Sequence, residues 1–264
     1  MTGLETFWYW VNERHLIHLK RYSGEPFPWT EDPILRDFHF TEVFRQLDAG
    51  TKWLWNRLEK VKDDPGLSFF NILAYRFFNY EPTGEVLGIP ITRWARPDNQ
   101  YTLGFTSAHM TSSLGVKGIL VVLDELWESR ELWGKHIMES CSVEKTFYAL
   151  LDIRGVGSFL AHQFAQDMRA TCLLRDAVDG KDWAFPGPGA RRGLSIVGLP
   201  ETVSSMQTMY LEQDKFRAPH VPELEVKDIQ QSLCEVQKYV KYRRMVLEGG
   251  PRVKFRKFNY AQKR

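Results

Sequence analysis

Between Ala149 and Arg169, two stretches of helical apolar spacing flank the triplet Gly155-Val156-Gly157, which constrains this segment to helix, tight turn and second helix. Leu150, Leu151 and Ile153 end the first stretch. Phe159, Leu160, Phe164 and Ala165 are expected to give the second helix its buried face, with Val156 anchoring the turn. Glycine permits a close approach to the backbone, and the turn feeds a helix N-terminus, where free N–H groups and the macrodipole attract an anion. The spacing L-x-x-I-x-G-V-G-x-x-x-A therefore predicts a hairpin that grips phosphates without reading bases, with Arg154, Gly155, Val156, Gly157 and Ser158 at the contact.

Helical periodicity runs through the rest of the chain. Leu4, Phe7, Trp8 and Val11 form one stripe; Val43, Leu47, Leu54, Leu58 and Val61 a second; Phe69, Ile72, Leu73 and Phe77 a third. Strand-like alternation is confined to Val86–Thr92 and Arg252–Phe258, so the fold class is all-α. Gly and Pro mark connections at Ser23–Pro33, Tyr80–Gln100, Asp179–Gly189 and Ala218–Pro222. The expected organisation is one two-lobed helical domain over residues 1–250, with a soft lobe boundary near 101–117, followed by a basic tail over 251–264.

At 264 residues and 43% hydrophobic content, the chain can build a substantial core, and a net charge of +2 excludes a uniformly basic protein. The charge is uneven: Lys241–Arg264 holds nine Lys/Arg and one acid, Glu248, a pattern that suits a polyanion or a solvated end. Cys141, Cys172 and Cys234 are too scattered for a zinc site and read as reduced thiols of a cytoplasmic protein, in a host cell if the source is viral. MTGLETFWYW lacks the basic opening of a signal peptide, and no apolar run approaches membrane-spanning length.

Beyond the hairpin lies Asp182-Trp-Ala-Phe-Pro-Gly-Pro-Gly-Ala-Arg-Arg-Gly-Leu194. Gly187 and Gly189 allow close approach, and the forks of Arg191 and Arg192 match phosphate or pyrophosphate oxygens. In helix–hairpin–helix DNA glycosylases a Gly/Pro-rich loop with a catalytic Asp occupies this place, which makes Asp182 the candidate here, with Asp176 and Asp179 as competitors.

Five segments in order carry a wider resemblance: Pro28–Leu35 with Phe40–Asp48, Ala74–Asn79, the hairpin, Gly187–Leu194 and Leu233–Tyr239. In these the chain resembles the α-glutamyl/putrescinyl thymine pyrophosphorylases, or amino acid:DNA transferases, and the helical domain attached to 5-hydroxymethyluracil DNA kinases. The resemblance implies a helix–hairpin–helix, glycosylase-like fold and DNA hypermodification. An amine such as glycine, glutamate or putrescine would displace pyrophosphate from 5-pyrophosphoryloxymethyl-uracil in DNA. Gln237 stands where an acid is expected, and Thr41 where Asn is expected.

That chemistry requires an extruded base, a stabilised leaving group and a base for the amine proton. Trp29 and Trp183 are candidates to stack on the base, with Thr30, Asp48, Asn79 and Tyr239 lining its pocket. Arg191 and Arg192, then Arg45, Arg76 and Lys238, are candidates for pyrophosphate; Asp182, Asp167 or Glu235 for the proton. A divalent ion such as Mg2+ can accompany pyrophosphate, although no carboxylate cage is dedicated to it. Two other functions use the same features: a glycosylase acting on a modified thymine or uracil, and a non-catalytic helical DNA-binding module partnering a kinase. No Walker-type Gly-x-x-x-x-Gly-Lys-Ser/Thr is present.

Overall fold

The computed structural model describes residues 2–97 and 113–250, and these are all-α: no strand occurs among them. The tail, its strand-like pattern at Arg252–Phe258 and most of the expected lobe boundary lie outside the described residues. Two compact units form, one from Met1–Asp48 with Pro186–Arg264, the other from Ala49–Phe185.

The first unit contains α1 (Gly3–Tyr22), α2 (Pro33–Asp37), α9 (Pro188–Val197), α10 (Val203–Leu211) and α11 (Val226–Leu247). Thr2 and Glu5 close a capping box at the start of α1, satisfying two N–H groups that the helix cannot. Helix α11 runs through this unit and is packed by α1, α2, α9 and α10. Its contact with α9 is close because two glycines face it. A Cβ on Gly193 would lie 2.4 Å from the Leu233 carbonyl oxygen, and one on Gly189 would lie 2.9 Å from Cys234 Sγ. The i, i+4 pair Gly189 and Gly193 thus lets two backbones meet.

The second unit contains α3 (Ala49–Leu58), α4 (Pro65–Phe78), α5 (Glu81–Leu87), α6 (Gly115–Ser140), α7 (Val143–Leu150) and α8 (Ser158–Met168). Helix α4 is its hub: Phe69, Phe70, Ile72, Leu73 and Phe77 are fully buried, and it packs on α6 and α8. A helix that is apolar on nearly every side belongs inside a core. Asp64 caps α4 at Leu67 N–H (2.8 Å), and Asn79 ends it in the left-handed region at φ +50°. Asn71, buried on α4, bonds the backbone of Ile91 in both directions and fastens the chain after α5.

Two sequence expectations are corrected. Tyr80–Gln100 is not wholly a connection, and Val86–Thr92 is not a strand: α5 occupies 81–87, and Gly88 turns the chain at φ +77°. Pro82 sits in the first turn of α5, where its missing N–H costs no helical bond.

Candidate functional site

In the second unit α7 and α8 flank the turn that holds Gly155, Val156 and Gly157. Asp179 accepts from Ser142 Oγ (2.8 Å), Val143 N–H (2.7 Å) and Glu144 N–H (3.0 Å), so this acid caps α7. After α7, Asp152 N–H and Ile153 N–H bond back to Ala149 and Leu150, and Val156 N–H bonds to Ile153. Gly155 takes φ +81°, which strains any residue with a Cβ, while Ile153 and Val156 point into the core. Gly157 caps α8 on extended backbone, with no side-chain bond and nothing within 4 Å of where a Cβ would stand. Among the described residues the N–H groups of Ser158 and Phe159 have no acceptor. The surface beside this turn is apolar as well as polar. Phe159, expected in the core, is 58% exposed, because the buried face of α8 is set by Leu160, Ala161, Phe164 and Met168. Arg154 spends its charge on Glu125, 2.9 Å away. What the turn offers a phosphate is therefore mainly backbone N–H.

Inside the same unit, Arg76 and Asp167 form a bidentate pair, Nε to Oδ2 at 2.6 Å and Nη2 to Oδ1 at 3.2 Å. Arg76 also donates to Thr51 Oγ1 (2.8 Å) and Asn79 Oδ1 (2.7 Å), and Trp55 Nε1 donates to Asp167 (3.2 Å). Asp167 is 0% exposed. The structure thus joins three sequence candidates in one network, with Arg76 and Asp167 buried and Asn79 at its exposed edge. Asp182 and Asp176 are exposed, whereas Trp183 is 4% exposed, with its ring 5.4 Å from Phe147. Trp183 is a core aromatic and has no open face for a base.

In the first unit, Arg191 and Arg192 are exposed at the start of α9, with Arg191 Nε bonded to the Pro186 carbonyl (2.9 Å). Gly187 begins that helix on extended backbone; a Cβ there would meet only the end of Gln230, at 4.0 Å. Glu235 and Lys238, three apart on α11, pair at 2.7 Å, and Glu235 also accepts from Thr41 N–H (3.1 Å). Asp32 is the busiest acid here. It caps α2 at Ile34 and Leu35 N–H (2.7 and 3.0 Å) and accepts from Tyr239 Oη (2.7 Å) and Tyr9 Oη (3.0 Å). Burial and the Asp32 carboxylate push both phenols well above the usual tyrosine range. Thr30 is buried and donates to Glu13 (2.5 Å). Arg45 is buried in the 3-10 turn Arg45–Leu47, and Asp48 closes that turn.

The sequence reading missed Glu42. It pairs with Arg14 (2.9 Å), His18 (3.4 Å) and Arg21 (3.5 Å), and its backbone carbonyl accepts from Gln231 (2.5 Å). Burial raises its carboxyl, but His18 and Arg14 outweigh that and hold it at about 2. Arg14, His18 and Arg21 recur at i, i+4 and i+7 along α1, a basic stripe on a largely buried helix, which is the signal that a sequence reading could have used. Among the described residues no group of three or more His, Cys, Asp or Glu is placed to hold a metal ion. Nor is any described helix long and apolar enough to cross a membrane.

The class these observations define is an all-helical protein with a glycine-capped hairpin in one unit and an arginine- and aromatic-lined ion network in the other. The chain belongs to the family described as "5-hmdU DNA kinase, helical domain", which it matches over residues 2–249. It is 27% identical over 236 residues to a 5-hmdU DNA kinase of Bacillus phage SP10; the match covers 73% of this chain and 36% of that kinase. The chain thus spans little more than a third of the length of that relative. No solved structure matches it significantly.

Proposed function

We propose that this protein modifies thymine positions in DNA, transferring an amine onto 5-pyrophosphoryloxymethyl-uracil with release of pyrophosphate. The observation that carries the reading is the family match, which runs through nearly all the described residues and belongs to proteins named for 5-hydroxymethyl-deoxyuridine in DNA. The hairpin supports DNA as the partner through its unpaired N–H groups at α8. The exposed Arg191 and Arg192 support an anionic leaving group.

In this reaction the amine nitrogen bonds to the 5-methylene carbon, the bond from that carbon to the pyrophosphate oxygen breaks, and the amine proton passes to a base. Asp182 and Glu235 remain the acids proposed for that proton. Asp182 is exposed at the Gly/Pro loop, and Glu235 is held by Lys238 and Thr41. Asp167 is the weaker choice, since Arg76 occupies both its oxygens.

A second reading has its own support. The match is to a helical domain and the chain has no Walker-type loop, which favours a module that holds DNA for a separate kinase. Incubation of pyrophosphorylated hydroxymethyluracil DNA with glycine, glutamate or putrescine, followed by nucleoside mass spectrometry, separates the possibilities. A new N-substituted nucleoside with free pyrophosphate supports transfer. Abasic sites point to a glycosylase, and a gel shift without chemistry to the binding module. Under the transfer reading, Asp182→Asn keeps DNA binding and loses product; full activity in that variant removes Asp182 from the role.

A further inference from the structure

In the first unit a cleft opens between α1, the segment after it and α2. Arg14, Arg21 and Arg36 line it together with Phe27, Trp29 and Phe40, and no carboxylate lines it. It has a volume of ≈ 20 Å³, enough for one or two water-sized groups. Arg14 is 6% exposed and its Nη1 is buried without a hydrogen-bond partner, although Nη2 reaches Glu42 and Nε reaches the Thr41 carbonyl. A buried guanidinium N–H with no acceptor is costly, and more so because it carries charge. Glu42 pairs with Arg14 and Arg21 and Asp37 with Arg36, and neither carboxylate lines the cleft itself. The lining of the cleft is therefore basic, with three guanidiniums and no carboxylate. Trp29 is fixed as one wall, its indole N–H on the Glu25 carbonyl (2.8 Å) and the Arg21 guanidinium 5.3 Å from its ring centre.

We infer that this cleft is a binding site for the oxyanion head of a small organic molecule, a carboxylate or a phosphate, with Arg14 as the inner donor and Trp29 against the body. A cavity of ≈ 20 Å³ fits the head alone. The arginines disfavour a dication, so a polyamine is excluded from this cleft even where an amino acid or a nucleotide enters.

The test is isothermal titration of the whole protein, without DNA, against glycine, glutamate, thymidine monophosphate, inorganic pyrophosphate and putrescine. Binding of at least one of the two amino acids or of thymidine monophosphate is expected, with putrescine silent. An amino acid binding ahead of thymidine monophosphate and pyrophosphate identifies a carboxylate head, and the reverse order a phosphate. Arg14→Met should weaken binding by about tenfold or more, as loss of a charged hydrogen bond does. Arg36→Met, at a half-exposed position paired with its sequence neighbour Asp37, should weaken it severalfold with an unchanged melting temperature. Trp29→Leu should weaken the organic ligands and leave pyrophosphate unaffected. No binding by any oxyanion, equal binding of putrescine, or wild-type affinity in Arg36→Met overturns the inference. Because no transfer chemistry enters this measurement, its failure leaves the proposed reaction to be judged by its nucleoside products.

Discussion

Replacing Asp167 with Ala separates a buried structural pair from a reactive carboxylate. In the folded protein this side chain is 0% exposed and takes Arg76 Nε at 2.6 Å, Arg76 Nη2 at 3.2 Å and Trp55 Nε1 at 3.2 Å. Its removal leaves a guanidinium that is 5% exposed facing the neutral oxygens of Thr51 and Asn79. Breaking a buried pair from one side costs about 3–5 kcal/mol, because a buried charge loses its counter-ion. Against a total stability of roughly 5–15 kcal/mol, that is a large fraction. For a chain of this size it lowers the melting temperature by roughly 10 °C. Urea titration and thermal melts followed by circular dichroism measure both quantities. The double variant Arg76→Met with Asp167→Leu removes both charges and should recover most of the loss. A loss below about 1 kcal/mol in Asp167→Ala would refute the reasoning, and a normally stable Asp167→Asn without transfer activity would return this residue to the catalytic candidates.

Gly157→Ala places a methyl group in open space on extended backbone, so stability should change by less than about 1 kcal/mol while DNA affinity falls severalfold in fluorescence anisotropy. Glu125→Gln frees Arg154 and removes a negative charge beside the hairpin; DNA should bind more tightly, with a steeper dependence on salt, and an unchanged slope counts against phosphate contact there. Acid should destabilise the fold in two stages. Burial, with His18 and His220 nearby, holds the His15 imidazole at about 4, so between pH 6.5 and 4 the unfolded chain takes a proton that the folded chain refuses, and stability falls. Glu42, held at about 2, loses its contribution as pH falls from about 4.5 towards 2. His15→Leu should flatten the first stage of a urea-stability profile and leave the second.

The helices that carry the cores were legible because their apolar residues recur at helical spacing, as in α4 with Phe69, Ile72, Leu73 and Phe77. The all-α class followed from that. Helix α5 was hidden because Pro82, Gly84 and Gly88 read as breakers. In the structure Pro82 starts the helix, Gly88 ends it, and Gly84 lets it lie against Trp53, where a Cβ would be 2.5 Å from the ring. Phe159 was misplaced because a short helix offers more than one apolar stripe, and only packing chooses between them. The pairing of Arg76 with Asp167 joins residues far apart in sequence, which no local pattern encodes. Arg14, Arg21 and Glu42 were overlooked for a related reason: charged residues on a helix ordinarily read as its solvated face, and their burial appears only when other elements close over them.

Glycines distinguish what the fold needs from what it leaves open. Gly155 is required by its positive φ, and Gly189 and Gly193 by the approach of α9 to α11. Gly157 and Gly187 are explained by neither cause: both sit on extended backbone that any residue adopts, and neither has a neighbour that a Cβ would strike. Five other helices are capped by side chains, Thr2, Asp32, Asp64, Ser142 and Thr202, which satisfy first-turn N–H groups, while α5 and α6 begin at Tyr80 and Leu114 without such a bond. At α8 and α9 the chain also forgoes that bond, at the hairpin in one case and beside Arg191 and Arg192 in the other. A side-chain cap at either place would cover the N–H groups that an incoming phosphate needs, and a Cβ would hold the phosphate off the backbone. Gly157 and Gly187, which neither φ nor packing explains, thus leave two helix starts open, the one assigned to the DNA backbone and the other to the departing pyrophosphate under the proposed reaction.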